Sequence, residues 1–217
     1  MVVARTEFPT PVKYAPLTLF LVERGMKGFE RGRALEKLGL KAQDTAELNF
    51  INCVVPEENV LGEVGKGFIY LTKSLARERL CMAVHCVASA RRALAMTVTY
   101  VKERKAFGKR ISDFQNTRYQ LAQMSTEIEV CQAFVDRCVL DTNDKKDITV
   151  AASMAKAKTS EVLGKVTDEC LQLFGGYGYM LEYPISREYA DARVQRIFGG
   201  TTEIMKEIIA KSVLGPE

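Results

Sequence analysis

The chain has 217 residues, with 31 Lys+Arg against 27 Asp+Glu, and so carries a formal net charge of +4. Hydrophobic residues at 47%, with only 15 Gly and 6 Pro, exclude a disordered or collagen-like chain. No apolar run approaches the roughly 18 residues of a membrane span, and so small a positive balance does not point to nucleic acid.

Glycine and proline divide the chain in two. Pro9, Pro11, Pro16 and Pro56 lie in the first 56 residues, and the next proline is Pro184. Leu17–Val22 is a short β-prone run ended by Gly25, and Ala46–Val55 alternates as a second strand closed by Pro56. From Phe68 to Phe174 only Gly108 and Gly164 interrupt, a stretch permissive for helix. Phe68, Leu71 and Leu75, with Met82 and Cys86 beyond, start one apolar stripe. Leu121, Met124, Ile128, Cys131 and Cys138 form a second, and Leu163, Val166, Cys170 and Leu173 a third. Breaks fall at Gly108-Lys109 and at Thr142-Asn143-Asp144, Ser112-x-x-Gln115 reads as a capping box, and Asp147 reads as an N-cap. The pattern predicts three helices of roughly 25 to 40 residues and a shorter one near Thr202–Val213. The expected fold is mainly α: a partial β segment over 1–65, then a helical bundle over 66–217.

The six cysteines lack zinc-site spacing, and a disulfide framework does not suit a chain with a core this size. They read as small buried hydrophobes in a reducing compartment. His85 is the only histidine, which excludes a multi-His metal site, and Arg5 and Glu7 interrupt any signal-type start.

Four segments look unlike bundle filler: Arg77-Glu78-Arg79-Leu80, Arg104 to Gln115, Gln172 to Tyr179, and Asp191 to Ile204. Each has a plain structural reading. Glu78 between two arginines is a solvated helix face, Arg104 a favourable cation at a helix C-terminus, and Gly175-Gly176 a helix cap. Gly199-Gly200-Thr201-Thr202 is a tight turn into an N-capped helix, although exposed N–H groups at such a start also suit an anion or a developing oxyanion. Gly175-Gly176-x-Gly178 follows no strand and is not a dinucleotide fingerprint.

Taken in order, Arg104-x-x-Phe107-Gly108 with Gln115, Gln172-x-x-Gly175-Gly176-x-Gly178, Asp191-Ala192-Arg193 and Gly200-Thr201-x-Glu203-Ile204 resemble the acyl-CoA dehydrogenase family. Asp44-Thr45-Ala46-Glu47-Leu48 and Gly65-x-Gly67-Phe68 extend the resemblance over nearly the whole chain, and Tyr179-Met180-x-Glu182-Tyr183-Pro184 is similar to its long-chain branch. The resemblance implies a C-terminal four-helix bundle preceded by the remnant of a middle β-domain. It also implies FAD-dependent α,β-desaturation of an acyl-CoA in fatty acid β-oxidation. In many members the catalytic carboxylate precedes the Gly-Thr turn, where this chain has Gly199. The long-chain and isovaleryl branches place a Glu in a Glu-Arg-Leu context instead, and Glu78-Arg79-Leu80 matches that, making Glu78 the expected base.

By the same resemblance the Gly199 N–H meets the thioester carbonyl, and Gly200 and Arg79 neighbour substrate, Arg79 reading equally as a surface cation. Arg104, Phe107, Gln115, Gln172, Gly175, Gly176, Thr201 and Glu203 contact FAD, partly across a dimer interface. Gln115 stays divided between FAD and the capping box. The implied setting is a homodimer or homotetramer in the mitochondrial matrix or bacterial cytoplasm, passing electrons to electron-transferring flavoprotein. The strands that would meet the flavin ring fall outside the resemblance, so the 217 residues by themselves are expected to be inactive. The alternatives are a branched-chain, isovaleryl-type dehydrogenase and a non-catalytic dimerising helical module.

Overall fold

The computed structural model describes residues 1–7 and 16–215; Pro9 and Pro11 lie outside them. The chain forms two compact units, Met1–Lys37 with Lys41–Leu75, and Leu38–Leu40 with Ala76–Glu217.

In the first unit β1 (Val2–Arg5) pairs antiparallel with β2 (Leu17–Phe20), which pairs with β5 (Val60–Leu61). Thr18 and Leu19 are the buried residues of β2. Thr18 spends its hydroxyl on the Thr6 hydroxyl at 2.6 Å and on the Gly65 N–H at 2.9 Å, as a buried polar group must. A separate hairpin joins β3 (Phe29–Ala34) to β4 (Ala46–Phe50), with Phe29 stacked on Phe50 at 4.9 Å. The strand expected to run to Val55 stops at Phe50, because Asn52 turns the chain with φ +48°.

The second unit is the helical bundle. α1 (Gly67–Glu103) enters it from Ala76 onward, followed by α2 (Gln115–Asn143), α3 (Thr149–Phe174), α4 (Pro184–Ala192) and α5 (Thr202–Leu214). α3 is central and packs on α2, α4 and α5. Ala83, Cys86, Ala90 and Ala93 of α1, Met124, Ile128 and Val135 of α2, and Leu163, Val166 and Cys170 of α3 form one core. Small residues along α1 let the helices approach closely, and the thiols pack as small hydrophobes. Cys86, Cys131, Cys138 and Cys170 are buried as expected, whereas Cys81 is exposed and Cys53 only half-buried.

A helix end corrected one expectation and shifted another by a residue. Ser112 lies inside a 3-10 turn, Ile111–Asp113, so it cannot cap α2; Phe114 precedes that helix without a side-chain cap. The cap in this segment is the Asp113 carboxylate, which accepts the Arg110 N–H at 3.1 Å. The N-cap position of α3 is Ile148, one residue after the expected Asp147, but the Asp147 carboxylate still closes the helix start, accepting the Thr149 N–H at 2.9 Å and hydroxyl at 2.6 Å. α4 was not foreseen, nor was the two-residue hairpin β6 (Lys105–Ala106) and β7 (Lys109–Arg110). Asp191 of the Asp-Ala-Arg run takes a structural role, its Oδ1 accepting the Leu40 N–H at 2.5 Å.

Candidate active site

The expected site residues fall into two groups, one at each end of the bundle-facing part of α1. At the first end, Gly199 and Gly200 form the turn that leads into α5, with φ of +65° and +106°, values that L side chains rarely adopt. Thr201 is the α5 N-cap, its hydroxyl accepting the Ile204 N–H at 3.4 Å, and Glu203 adds an exposed carboxylate to the positive end of the helix. The Thr201 hydroxyl and the adjacent main chain hold the Glu203 carboxyl below its ordinary range, the main-chain N–H being the larger cause.

Arg79 is not a surface cation: only 6% exposed, it donates from Nε to the Gly199 carbonyl at 3.2 Å. Burial lowers its guanidinium from the ordinary value, with Glu78 opposing. Glu78 is exposed. One turn on, Met82 lies so close to the turn that a Cβ on Gly199 would stand 2.4 Å from its sulfur. Glu78 precedes Arg79 and lies one helical turn before Met82, on the same face of α1 as that methionine.

The residue that sequence reasoning missed is Lys156. It is fully buried on α3 and donates from Nζ to the Gly200 carbonyl at 2.5 Å. Burial, the largest cause, pushes its ammonium below the ordinary range; Cys86 opposes, Arg79 adds to the shift and Glu203 opposes. Beside it Cys86 faces Gln195 Oε1 at 3.7 Å, and burial drives that thiol up to about 11. A signal was present: Ala152, Lys156, Thr159 and Leu163 recur at spacings of four, three and four, which places the lysine on the buried stripe.

At the other end, Arg104, Gln172, Gly175 and Gly176 line one cleft of about 670 Å³, with Tyr100, Ile111, Leu173, Phe174, Tyr177 and Met180. Tyr100 donates to the Phe174 carbonyl at 3.2 Å and stacks on the Phe174 ring at 4.1 Å, which fixes the end of α3 against α1. Gly175 caps α3 with φ +60°, and a side chain on Gly175 or Gly176 would meet nothing within 4 Å. The Arg104 guanidinium lies 5.3 Å from the Tyr177 ring centroid and has no ion-pair partner among the described residues. A cationic fork with no carboxylate, over an apolar floor, suits a phosphate-bearing ligand.

Phe107 stands at the tip of the β6–β7 hairpin, 94% exposed and with φ +53°. Gln115 is exposed and donates to the Tyr119 hydroxyl at 2.5 Å rather than to a helix cap. Neither lines the cleft. From Glu78 to Glu103, the last residue of α1 and the one before Arg104, is 25 residues along the helix, about 38 Å at 1.5 Å per residue.

The family model described as acyl-CoA dehydrogenase, C-terminal domain, matches residues 65–214. The mitochondrial long-chain specific acyl-CoA dehydrogenase of Sus scrofa is 51% identical over 198 residues, 91% of this chain and 46% of that protein. A crystal structure of an acyl-CoA dehydrogenase from Geobacillus kaustophilus superposes with a TM-score of 0.89 at 49% identity, over 91% of this chain and 52% of that one. A solved FAD complex of PigA gives a TM-score of 0.86 at 28% identity, over 91% and 51%. The chain thus spans about half the length of the relatives it matches. Fold, helical core and sequence agree over residues 65–214, and the chain belongs to the acyl-CoA dehydrogenase family, whose C-terminal domain it contains.

Proposed function

We propose that this chain is the catalytic helical part of an FAD-dependent acyl-CoA dehydrogenase that desaturates long-chain acyl-CoA thioesters between the α and β carbons, with residues 1–65 belonging to its middle β-domain. The observation that carries the reading is that Arg79 and Met82, which flank this stretch of α1 just after Glu78, both meet the Gly199-Gly200 turn, whose backbone opens a helix. Glu78 takes the α-proton, and the N–H groups of the turn, Gly199 foremost, face the thioester carbonyl as it gains enolate charge. A carboxylate at position 199 is not needed, because α1 brings one to the same place. Gly200 and buried Arg79 complete the substrate side.

The cofactor reading rests on the second group. Arg104, free of any carboxylate, fits a pyrophosphate, and the open glycines with Gln172 leave room for the adenosine half. Phe107 and Gln115 border the same end of the bundle, while Thr201 and Glu203 would meet the flavin half at the α5 start. When bound, FAD accepts the hydride that leaves the β-carbon. The two groups are farther apart along α1 than one extended FAD reaches, which supports a homodimer in which each bundle touches two flavins. Electron-transferring flavoprotein is the acceptor this reading implies, in the mitochondrial matrix or the bacterial cytoplasm; the Sus scrofa relative is a mitochondrial protein.

The 51% identity to a long-chain enzyme favours long acyl chains over branched ones. The test is anaerobic titration of the protein, expressed from its own gene, with hexadecanoyl-CoA and with isovaleryl-CoA. Bleaching of bound flavin by hexadecanoyl-CoA at the lower concentration supports the reading. Preference for isovaleryl-CoA transfers it to the branched class, and no bleaching by either removes it.

A further inference from the structure

α3 buries Lys156 completely, on a stripe otherwise made of Ala152, Ala155, Thr159 and Leu163. A buried ammonium loses its hydration and is tolerated only where partners replace it. Here the hydrogen-bond partner is the carbonyl of Gly200, and the neighbouring carbonyl, Gly199, is held by Arg79, which is also buried. Two cations from two different helices therefore grip two successive peptides of one turn.

The geometry has a chemical consequence. A trans peptide points its N–H opposite to its C=O. With the Gly199 and Gly200 carbonyls turned inward to Arg79 and Lys156, the N–H groups of Gly200 and Thr201 point away from the cations. Among the described residues neither N–H has a hydrogen-bond partner. A carbonyl that accepts from a cation polarises its own peptide, so the opposite N–H becomes a stronger donor, more so where water is excluded. The Gly199 N–H belongs to the preceding Phe198–Gly199 peptide, so the grip bears on it only through the backbone of the turn, whose glycines stand at φ +65° and +106°.

We propose that Lys156, acting with Arg79, is a positioning residue that holds the Gly199-Gly200 turn, setting the Gly199 N–H in place and polarising the Gly200 and Thr201 N–H groups toward the enolate oxygen of the bound thioester. This rests on the acyl-CoA reading of the site. The charged and titratable groups facing Lys156 are Arg79 and Cys86 from α1 and Glu203 from α5. Glu203 is exposed and Cys86 stays protonated at neutral pH, so the two buried cations supply the field at the turn.

The probe is 3-oxohexadecanoyl-CoA, whose α-proton leaves to give a coloured enolate, bound to the flavin-loaded protein expressed from its own gene. Its ionisation is followed by absorbance against pH, and its affinity is measured below that transition. In the unaltered protein the ligand ionises at lower pH than in water. In Lys156→Met the transition moves up by about one pH unit, a tenfold loss of enolate stabilisation, while affinity for the neutral form changes less than about twofold. Lys156→Gln, which keeps a donor without the charge, gives a smaller upward shift and replaces the Met variant if that one does not fold. An unshifted transition in both variants, or equal loss of affinity for both ligand forms, overturns the role of Lys156 while leaving the acyl-CoA reading standing. Failure of the unaltered protein to bind the ligand overturns both.

Discussion

In the proposed mechanism Gly199 acts through its backbone, and a methyl group tests what that position tolerates. Alanine at position 199 would sit at φ +65° and press on the Met82 sulfur, which can swing aside. The remaining cost is the left-handed backbone, so Gly199→Ala should lower unfolding free energy by about 1–2 kcal/mol in urea titration. Thiol chemistry gives a second check at this scale. Cys81 should react with iodoacetamide at neutral pH in the folded chain, while Cys86, Cys131, Cys138 and Cys170, buried and with thiols pushed up by burial, should not. At the level of single residues the sequence was readable where a motif names the position, as at Arg104, Gln172, Gly175 and Gly176, which the fold brings to one cleft. Lys156 escaped notice because a lysine is read as solvated by default, and only its place on the helical stripe says otherwise.

Among the elements, α3 carries the most, since it touches α2, α4 and α5 and brings both Lys156 and the Gly175 cap into place. Leu163→Ala, at a fully enclosed position, should cost about 2–5 kcal/mol of stability. The start of the same helix depends on Asp147, and Asp147→Ala should cost about 1 kcal/mol. The Thr149 hydroxyl and then its N–H hold the Asp147 carboxyl below its ordinary value, so the cap is fully effective above the unfolded carboxylate pKa and fades as pH falls through the lower folded one. The three long helices could be read from their 3.6-residue period, because each buries one continuous stripe. α4 could not, since nine residues give barely two turns of pattern and Pro184 at its start reads as a breaker. The β6–β7 hairpin is shorter still, and Phe107, a non-glycine residue at positive φ, hides a turn that glycine pairs normally announce.

For the whole molecule, the bundle core places two strongly raised thiols, Cys86 and Cys170, each at about 11. Their folded values lie above the ordinary 9.0, so their contribution to stability is intact below pH 9 and is lost as pH rises toward 11. That loss should be on the order of 2–3 kcal/mol per thiol, and a Cys86→Ala, Cys170→Ala double variant should lose correspondingly less between pH 9 and 11 in thermal unfolding. The change from short strands to long helices along the chain was readable from where proline and glycine fall, and the two-ended arrangement of the proposed site residues was not. Linear sequence places Glu78 on a helix that ends just before Arg104 without stating that about 38 Å of that helix separate them. The central claim is that α1 supplies the base and the turn before α5 supplies the anion-facing donors. Stopped-flow reduction of the bound flavin by hexadecanoyl-CoA, comparing Glu78→Gln with the unaltered protein, tests it most directly. Flavin content should be unchanged and reduction slowed by about 10²- to 10⁴-fold. Reduction at the unaltered rate with Glu78 replaced would contradict it.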